Sequence, residues 1–361
     1  MDFTKIVIPY DLSKFNKSDL KELATELNIS SDIDNKSELA IEVYREFKKL
    51  ENVNEHFKET INNKLLAGQT STKWFEAEEK LDFQEIIKVL SNKYRSSIKR
   101  IDISKIDNND DLTTEPTIFG IIYDDKKEEL YIRYIYKNRV KSEFSGTNII
   151  QTSIPSFATL YINFATQLIE YRGDAKKSKM TISSFLKSID KTDNSLKVKE
   201  KFDFKVEDVA DKLDGILIDT ISLPEANIKN DDQKLQGISK VLEAIDEYFQ
   251  TNNIDNLENA LNDVNDQFDN HIDENIMPFS LLLLSGLQTV ALASGDELRN
   301  TPLYKYLKAN LTQTTGFIKI QVTEDNIVNE YTIKVGIQSK SIYFTSYVSE
   351  NVIKYVRDRL F

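Results

Sequence analysis

The chain has no cysteine among its 361 residues. That excludes disulfides, thiolate nucleophiles and cysteine-based zinc sites together, and it suits a reducing, cytoplasmic setting. Glycine and proline are scarce, at ten and six, so boundaries have to be read from changes of pattern rather than from linkers. There are two histidines, His56 and His271. A Ser-His-Asp triad would have to use one of them, and both fall on exposed helix surfaces in this reading. No GxGxxG, GxxxxGKS/T or HExxH run occurs, so the common phosphate-cradling loops and the zincin site are missing. No catalytic residue and no cofactor can be named. Nothing after Met1-Asp2-Phe3-Thr4-Lys5 reads as a signal peptide. The one long apolar stretch, Ile276–Ser294, approaches the length of a membrane span. It is interrupted by Pro278, Ser280, Ser285, Gly286, Gln288 and Thr289 and flanked by acids. A buried helix is expected there, and no membrane partner.

Aromatics, by contrast, are plentiful. Nineteen Phe and sixteen Tyr, with 40% hydrophobic and 29% charged residues, describe a chain that can bury a core. Its length suits two or three domains. The net charge of −12 is unevenly spread: residues 1–206 are neutral, 207–300 hold 5 bases against 20 acids, and 301–361 carry net +3. The acidity belongs to one segment, so a whole-chain average conceals a mixed surface.

Periodicity supplies the elements. Leu20, Leu23, Ala24 and Leu27, then Leu39, Ala40, Val43, Tyr44 and Phe47, predict a helical hairpin over 12–50. Asn35 is placed to cap the second helix, with Glu38 reaching back to the cap amide. Val53, Phe57, Ile61 and Leu65 predict a third helix. Gly68 marks a turn and Ser71–Glu76 a strand, and Asp82 with Glu85 opens a helix through Leu90. Strands are expected at 98–106, Thr117–Tyr123 and Glu129–Tyr136, with a loop at 108–111. Helices are expected at 157–171 and 181–190. The lysine-rich run 191–205 suits a domain junction. Beyond it the pattern gives a strand Ile216–Leu223, helices near 236–250, 255–275 and 279–294, and then three strands and a terminal helix over 315–361. Mixed blocks without βαβ alternation favour α+β. The expected organisation is a helical module (1–66), a mildly basic α+β middle (67–205), and an acidic helical segment ending in a small βββα unit (206–361).

Chemistry is sparse. Glu200, Asp203 and Asp219 are the fragments a carboxylate-metal nuclease could use, but no acid-x-Lys pattern sits on neighbouring buried strands, and no metal site is assigned. The acids of 255–274 lack the glycine of a calcium loop, and Leu257, Leu261, Val264 and Phe268 make an apolar stripe instead. That segment suits a protein partner or self-association. The middle region is different. Residues 93–205 carry net +5, concentrated in three clusters: Lys93, Arg95, Lys99 and Arg100; Lys137, Arg139 and Lys141; and Arg172, Lys176, Lys177 and Lys179. Cations that converge on phosphates, with aromatics nearby, are what nucleic-acid binding needs.

The hairpin Leu12-Ser13-Lys14-Phe15-Asn16-Lys17-Ser18-Asp19-Leu20 through Lys36-Ser37-Glu38-Leu39-Ala40 resembles the SAP and helix-extended-helix modules, many of which bind DNA and some of which dock proteins. It lacks the glycine usual before the second helix, and residues 1–50 hold 8 bases and 10 acids. The order of Glu129-Leu130-Tyr131-Ile132-Arg133 and Ile154-Pro155-Ser156-Phe157 is loosely similar to the centromere protein N family, which binds nucleosomes and protein partners. Together these features predict a non-enzymatic protein that associates with DNA or docks another macromolecule. A nuclease and a pure protein-interaction subunit are the alternatives. The Lys, Asn and Ile usage fits a low-GC bacterium or its phages or plasmids, where host–phage conflict or plasmid maintenance is the expected setting.

Overall fold

After a short helix α1 (Pro9–Ser13), three asparagines in turn start α2 (Lys17–Glu26), α3 (Lys36–Lys49) and α4 (Glu55–Lys64). Asn16 accepts from the Asp19 amide at 2.7 Å, Asn35 from Ser37 at 2.9 Å, and Asn54 from Phe57 at 2.7 Å. Each cap satisfies a backbone donor that the first turn leaves open. Glu38 departs from the expected capping box: it accepts from the Asn35 side-chain amide at 3.3 Å.

The computed structural model describes residues 1–29, 33–50, 53–94, 112–191, 197–224, 232–267, 283–284 and 287–361. The strand expected at 98–106 and the loop at 108–111 lie outside these, as do His271 and the end of the 255–275 helix. The chain continues through β1 (Ser71–Ala77), α5 (Phe83–Tyr94), β2 (Thr117–Asp124), β3 (Glu129–Ser145), β4 (Asn148–Asn163) and β5 (Leu168–Arg172). Next come α6 (Ser178–Ser188), β6 (Val198–Glu200), α7 (Val206–Lys212), β7 (Ile216–Pro224), α8 (Asp232–Thr251) and α9 (Ile254–Gln267). The last elements are β8 (Val290–Ala293), α10 (Pro302–Leu307), β9 (Leu311–Glu324), β10 (Ile327–Gly336), β11 (Ser341–Phe344) and α11 (Glu350–Leu360). The fold is α+β, as expected, and every described strand pairing is antiparallel.

Contacts divide the chain into two units, Met1–Gly215 with Lys319–Phe361, and Ile216–Ile318. In the first, strands run in the order β2-β3-β4-β5-β1-β11-β10, followed by the C-terminal part of β9, and β6 pairs with the end of β1. Both faces of the sheet are covered. Ile132, Tyr134, Tyr136, Leu160 and Ile162 pack with Ile86 and Leu90 of α5 and Ile182 and Phe185 of α6. From the other face, Ile122, Tyr131 and Tyr161 meet Leu20, Leu39, Val43 and Phe57 of the N-terminal helices. Each such fully buried Leu, Ile or Phe contributes about 1.5–3 kcal/mol.

That double burial explains why the helix expected at 157–171 is instead β4, a turn and β5. Ala158, Leu160 and Ile162 face one core while Thr159 and Tyr161 face the other. The period of two is therefore hidden in a continuous apolar run. Gln167, at φ 57°, turns the chain so that Asn163 pairs with Leu168.

In the second unit, β8 pairs with β7 (Asp219 opposite Ala293, Ser222 opposite Val290) and the N-terminal part of β9 lies on the other side of β7. The expected helix at 279–294 is corrected here, since its last residues, Val290–Ala293, form that strand. Leu284, Val290 and Leu307 make a small core with Leu292, Tyr306 and Leu311. No helix of the described residues is long and apolar enough to cross a membrane.

Asn54 also donates to Glu26 at 3.0 Å, tying α4 to α2. Asn54→Ala is expected to lower the unfolding free energy by about 1 kcal/mol, from the lost cap, read as a reduced urea midpoint at unchanged slope.

Candidate nucleic-acid interface

β3 and β4 outrun the rest of the sheet. The pairing of β3 with β2 ends at Ile135, and that of β4 with β5 ends at Thr159. Residues 139–145 and 148–154 consequently pair with one another alone, making a two-stranded ribbon roughly 24 Å long at about 3.4 Å per residue. Its turn carries Gly146 at φ 64°, a left-handed conformation glycine adopts without strain. Near the tip Phe144 is 85% exposed, and Ile149 and Ile150 are also open to solvent.

One irregularity sets which way the ribbon's cations point. Lys137 pairs with Pro155 and Arg139 with Ile154, so Asn138 is an extra residue, a β-bulge. Pro155 has no N–H to give the ladder, and the bulge lies opposite it. By register, Lys137 stays on the face of Ile135 and Arg133. Arg139 and Lys141 pass to the face of Tyr136 and Tyr134, the side covered by α5 and α6.

The start of α6 lies on that side. Asp174 accepts from the Lys176 amide at 3.0 Å and opens the turn Ala175–Lys177. The Lys177 ammonium then sits 6.0 Å from the Tyr136 ring, a favourable cation–π position. Burial holds the Tyr136 phenol above its ordinary range, against hydrogen bonds to Tyr171 and Ser156, so the ring is a neutral platform. Between α6 and β6 runs a groove of about 650 Å³ lined by Lys179, Lys197, Lys199 and Lys340, with Glu78 and Glu200. Glu200 is taken by Lys73 at 2.9 Å and Lys340 at 3.9 Å. Arg139, Lys176, Lys177, Lys179, Lys197 and Lys199 make no ion pair among the described residues. Lys141 pairs with Glu143 at 2.5 Å, both well exposed, an interaction worth little in water.

Two sequence-selected cations go elsewhere. Arg172 is 2% exposed and fully engaged: its Nε donates to Glu170 at 2.7 Å, its Nη2 to Glu350 at 2.9 Å and its Nη1 to the Leu66 carbonyl at 3.0 Å. It belongs to the core, not to a phosphate-facing surface. Lys93, at the far end of α5, donates to Asp190 at 2.8 Å and to the Lys187 carbonyl at the C-terminal end of α6. Arg95, Lys99 and Arg100 lie outside the described residues. Register thus puts Arg139 and Lys141 on the sheet face where Lys176, Lys177 and Lys179 start α6, and Lys137 on the opposite face. The structure adds Lys197 and Lys199, whose alternation about the half-buried Val198 was the available signal.

Glu200 is ion-paired, Asp203 is exposed, and among the described residues no group of three His, Cys, Asp or Glu could hold a metal ion. His56 is exposed on α4 beside Glu22 and Glu26, at 3.4 and 3.2 Å. Compared with known proteins, the chain matches no family model, and no curated protein or solved structure matches it significantly.

Proposed function

We propose that this chain is a non-enzymatic cytoplasmic protein that associates with DNA, holding the phosphate backbone against the α6 face of its sheet. The observation that carries the reading is the bulge at Asn138, which turns Arg139 and Lys141 to the side where Lys177 covers Tyr136. Phosphate contacts of this kind supply affinity without reading sequence. At the ribbon tip the exposed Ile150, which by register shares the face of Arg139 and Lys141, is the apolar type that wedges between base steps in architectural binders.

Fluorescence anisotropy with a short duplex over a salt series tests this. The six cations without ion pairs, together with Lys141 in its weak exposed pair, predict a slope of log Kobs against log salt of about −6, at about −0.9 per phosphate contact. Lys177→Glu with Lys179→Glu should flatten it by about two contacts. Absence of binding at low salt, or a flat slope, would sink the proposal. A second reading then takes its place, because Phe249 is 78% exposed and Ile254 and Leu261 are also open on α8 and α9. Such residues favour protein docking or self-association.

A further inference from the structure

On the face of the sheet covered by the N-terminal helices, a cleft of about 530 Å³ opens among α1, the α4–β1 connection and β4–β5. Its floor holds a buried ion pair. Arg133, 2% exposed, grips the two Asp11 oxygens at 2.5 and 2.7 Å and the Ile6 carbonyl at 3.2 Å. Among the described residues the Arg133 Nε has no acceptor, and the hydroxyl of Tyr347, which lines the same cleft, has no partner either. Burial, helped by the charges of Asp19 and Asp11, keeps that phenol well above its ordinary range, so at neutral pH it is a donor. A buried donor left unmet is costly, and two residues that line this cleft each carry one.

The surroundings match. Lys14 and Lys36 line the cleft and make no ion pair among the described residues, whereas Lys64 is held by Asp19 at 2.8 Å. The Lys14 ammonium lies 4.4 Å from the Tyr10 ring, and Tyr10 packs on Phe157 at 4.5 Å. Tyr343 adds a further exposed aromatic face. Cations and unmet donors suit a phosphate, and flat aromatic faces suit a planar ring. The volume falls within the range of small-molecule sites.

We infer that this cleft binds a nucleoside phosphate, with Lys14, Lys36, Arg133 Nε and Tyr347 holding the phosphate and the aromatic lining holding the base. The site is independent of the DNA reading, since Arg139 and Lys177 belong to the other face. Both donors are shielded from water, so the phosphate reaches them by displacing neighbouring side chains.

Calorimetric titration of the full chain with ADP, pyrophosphate and adenosine tests it. ADP should bind saturably and more tightly than either part. Lys14→Glu with Lys36→Glu should weaken ADP by about tenfold or more per lysine, while Lys354→Glu, on exposed α11 surface, should leave it unchanged. Tyr347→Phe removes a hydroxyl that has no partner among the described residues, so it should keep or raise the melting temperature and still weaken ADP several-fold. Failure of all three compounds to bind overturns the site, as does binding indifferent to both the lysine reversal and Tyr347→Phe. Pyrophosphate equal to ADP overturns the ring assignment, and adenosine equal to ADP overturns the phosphate assignment.

Discussion

Glu170→Gln is expected to destabilise the larger unit by about 3–5 kcal/mol, the usual result of breaking a buried ion pair on one side. Glu170 is completely buried and accepts from the Trp74 indole at 2.8 Å, from Arg172 at 2.7 Å and from Arg357 at 3.2 Å. Arg357 itself lies 4.4 Å from the Tyr161 ring. The substitution keeps the shape and the indole bond but leaves two buried guanidiniums short of one negative charge. Glu350→Gln should cost less, since Glu350 is partly exposed and Arg172 would keep Glu170. Trp74 is the one tryptophan, so its emission during urea unfolding reads the effect at the network itself.

The same network gives a pH dependence whose sign follows from the direction of the shift. Burial pushes the Glu170 carboxyl up, and the charges of Arg172 and Arg357 outweigh it, leaving it below the ordinary glutamate range. A carboxylate depressed in the folded state contributes fully above the unfolded value, about 4.3. The contribution is lost as pH falls through the lower folded value. The gap in stability between the parent and Glu170→Gln should thus be constant near neutrality and close in acid. A gap that stays constant down into acid would mean Glu170 is not ionised in the fold.

The second large effect concerns the ribbon. Inserting one threonine between Ile154 and Pro155 gives Asn138 a partner and makes the ladder regular. Side chains alternate with a period of two, so everything distal to the insertion changes face. Arg139 and Lys141 would then join Lys137, and Val140 and Phe144 would replace them on the α6 side. DNA affinity at 0.1 M salt should fall on the order of 60-fold, with the salt slope flattening by about 1.8, the equivalent of two phosphate contacts. Deleting Asn138 also removes the bulge, yet it keeps Arg139 opposite Ile154 and should preserve binding. If the insertion and the deletion behave alike, the direction of the ribbon's cations is irrelevant and the interface is wrongly drawn.

How far the sequence reveals this architecture depends on what covers each element. The amphipathic helices α2, α3 and α4 have a single buried stripe, and of their three Asn caps Asn35 was read from its capping-box spacing. The C-terminal strands and helix were legible too, separated by Asp325-Asn326, both left-handed. β4 and β5 were not, because cores on both sides erase alternation. Neither was the role of Arg172: as one cation in a basic run it reads as surface, and only β5 lying beside β1 brings it to Glu350. Lys197 and Lys199 read as linker for the opposite reason, since β6 is three residues long and its identity as a strand comes from β1. The bulge, which decides the direction of Arg139, announces itself only through Pro155.

The larger unit is discontinuous in sequence, with residues 216–318 made between its two parts. A ribosome therefore produces β1 and β5 well before α11. Until Glu350 and Arg357 emerge, Glu170 has one arginine instead of two, and Arg172 has one carboxylate instead of two. The sheet cannot close its charged centre on a dry core with those groups unmatched, so the nascent chain has reason to stay open there while the intervening segment is synthesised. α11 then supplies the missing partners, so closure of the larger unit's charged centre waits on residues 350–357, long after β1 and β5 have been made.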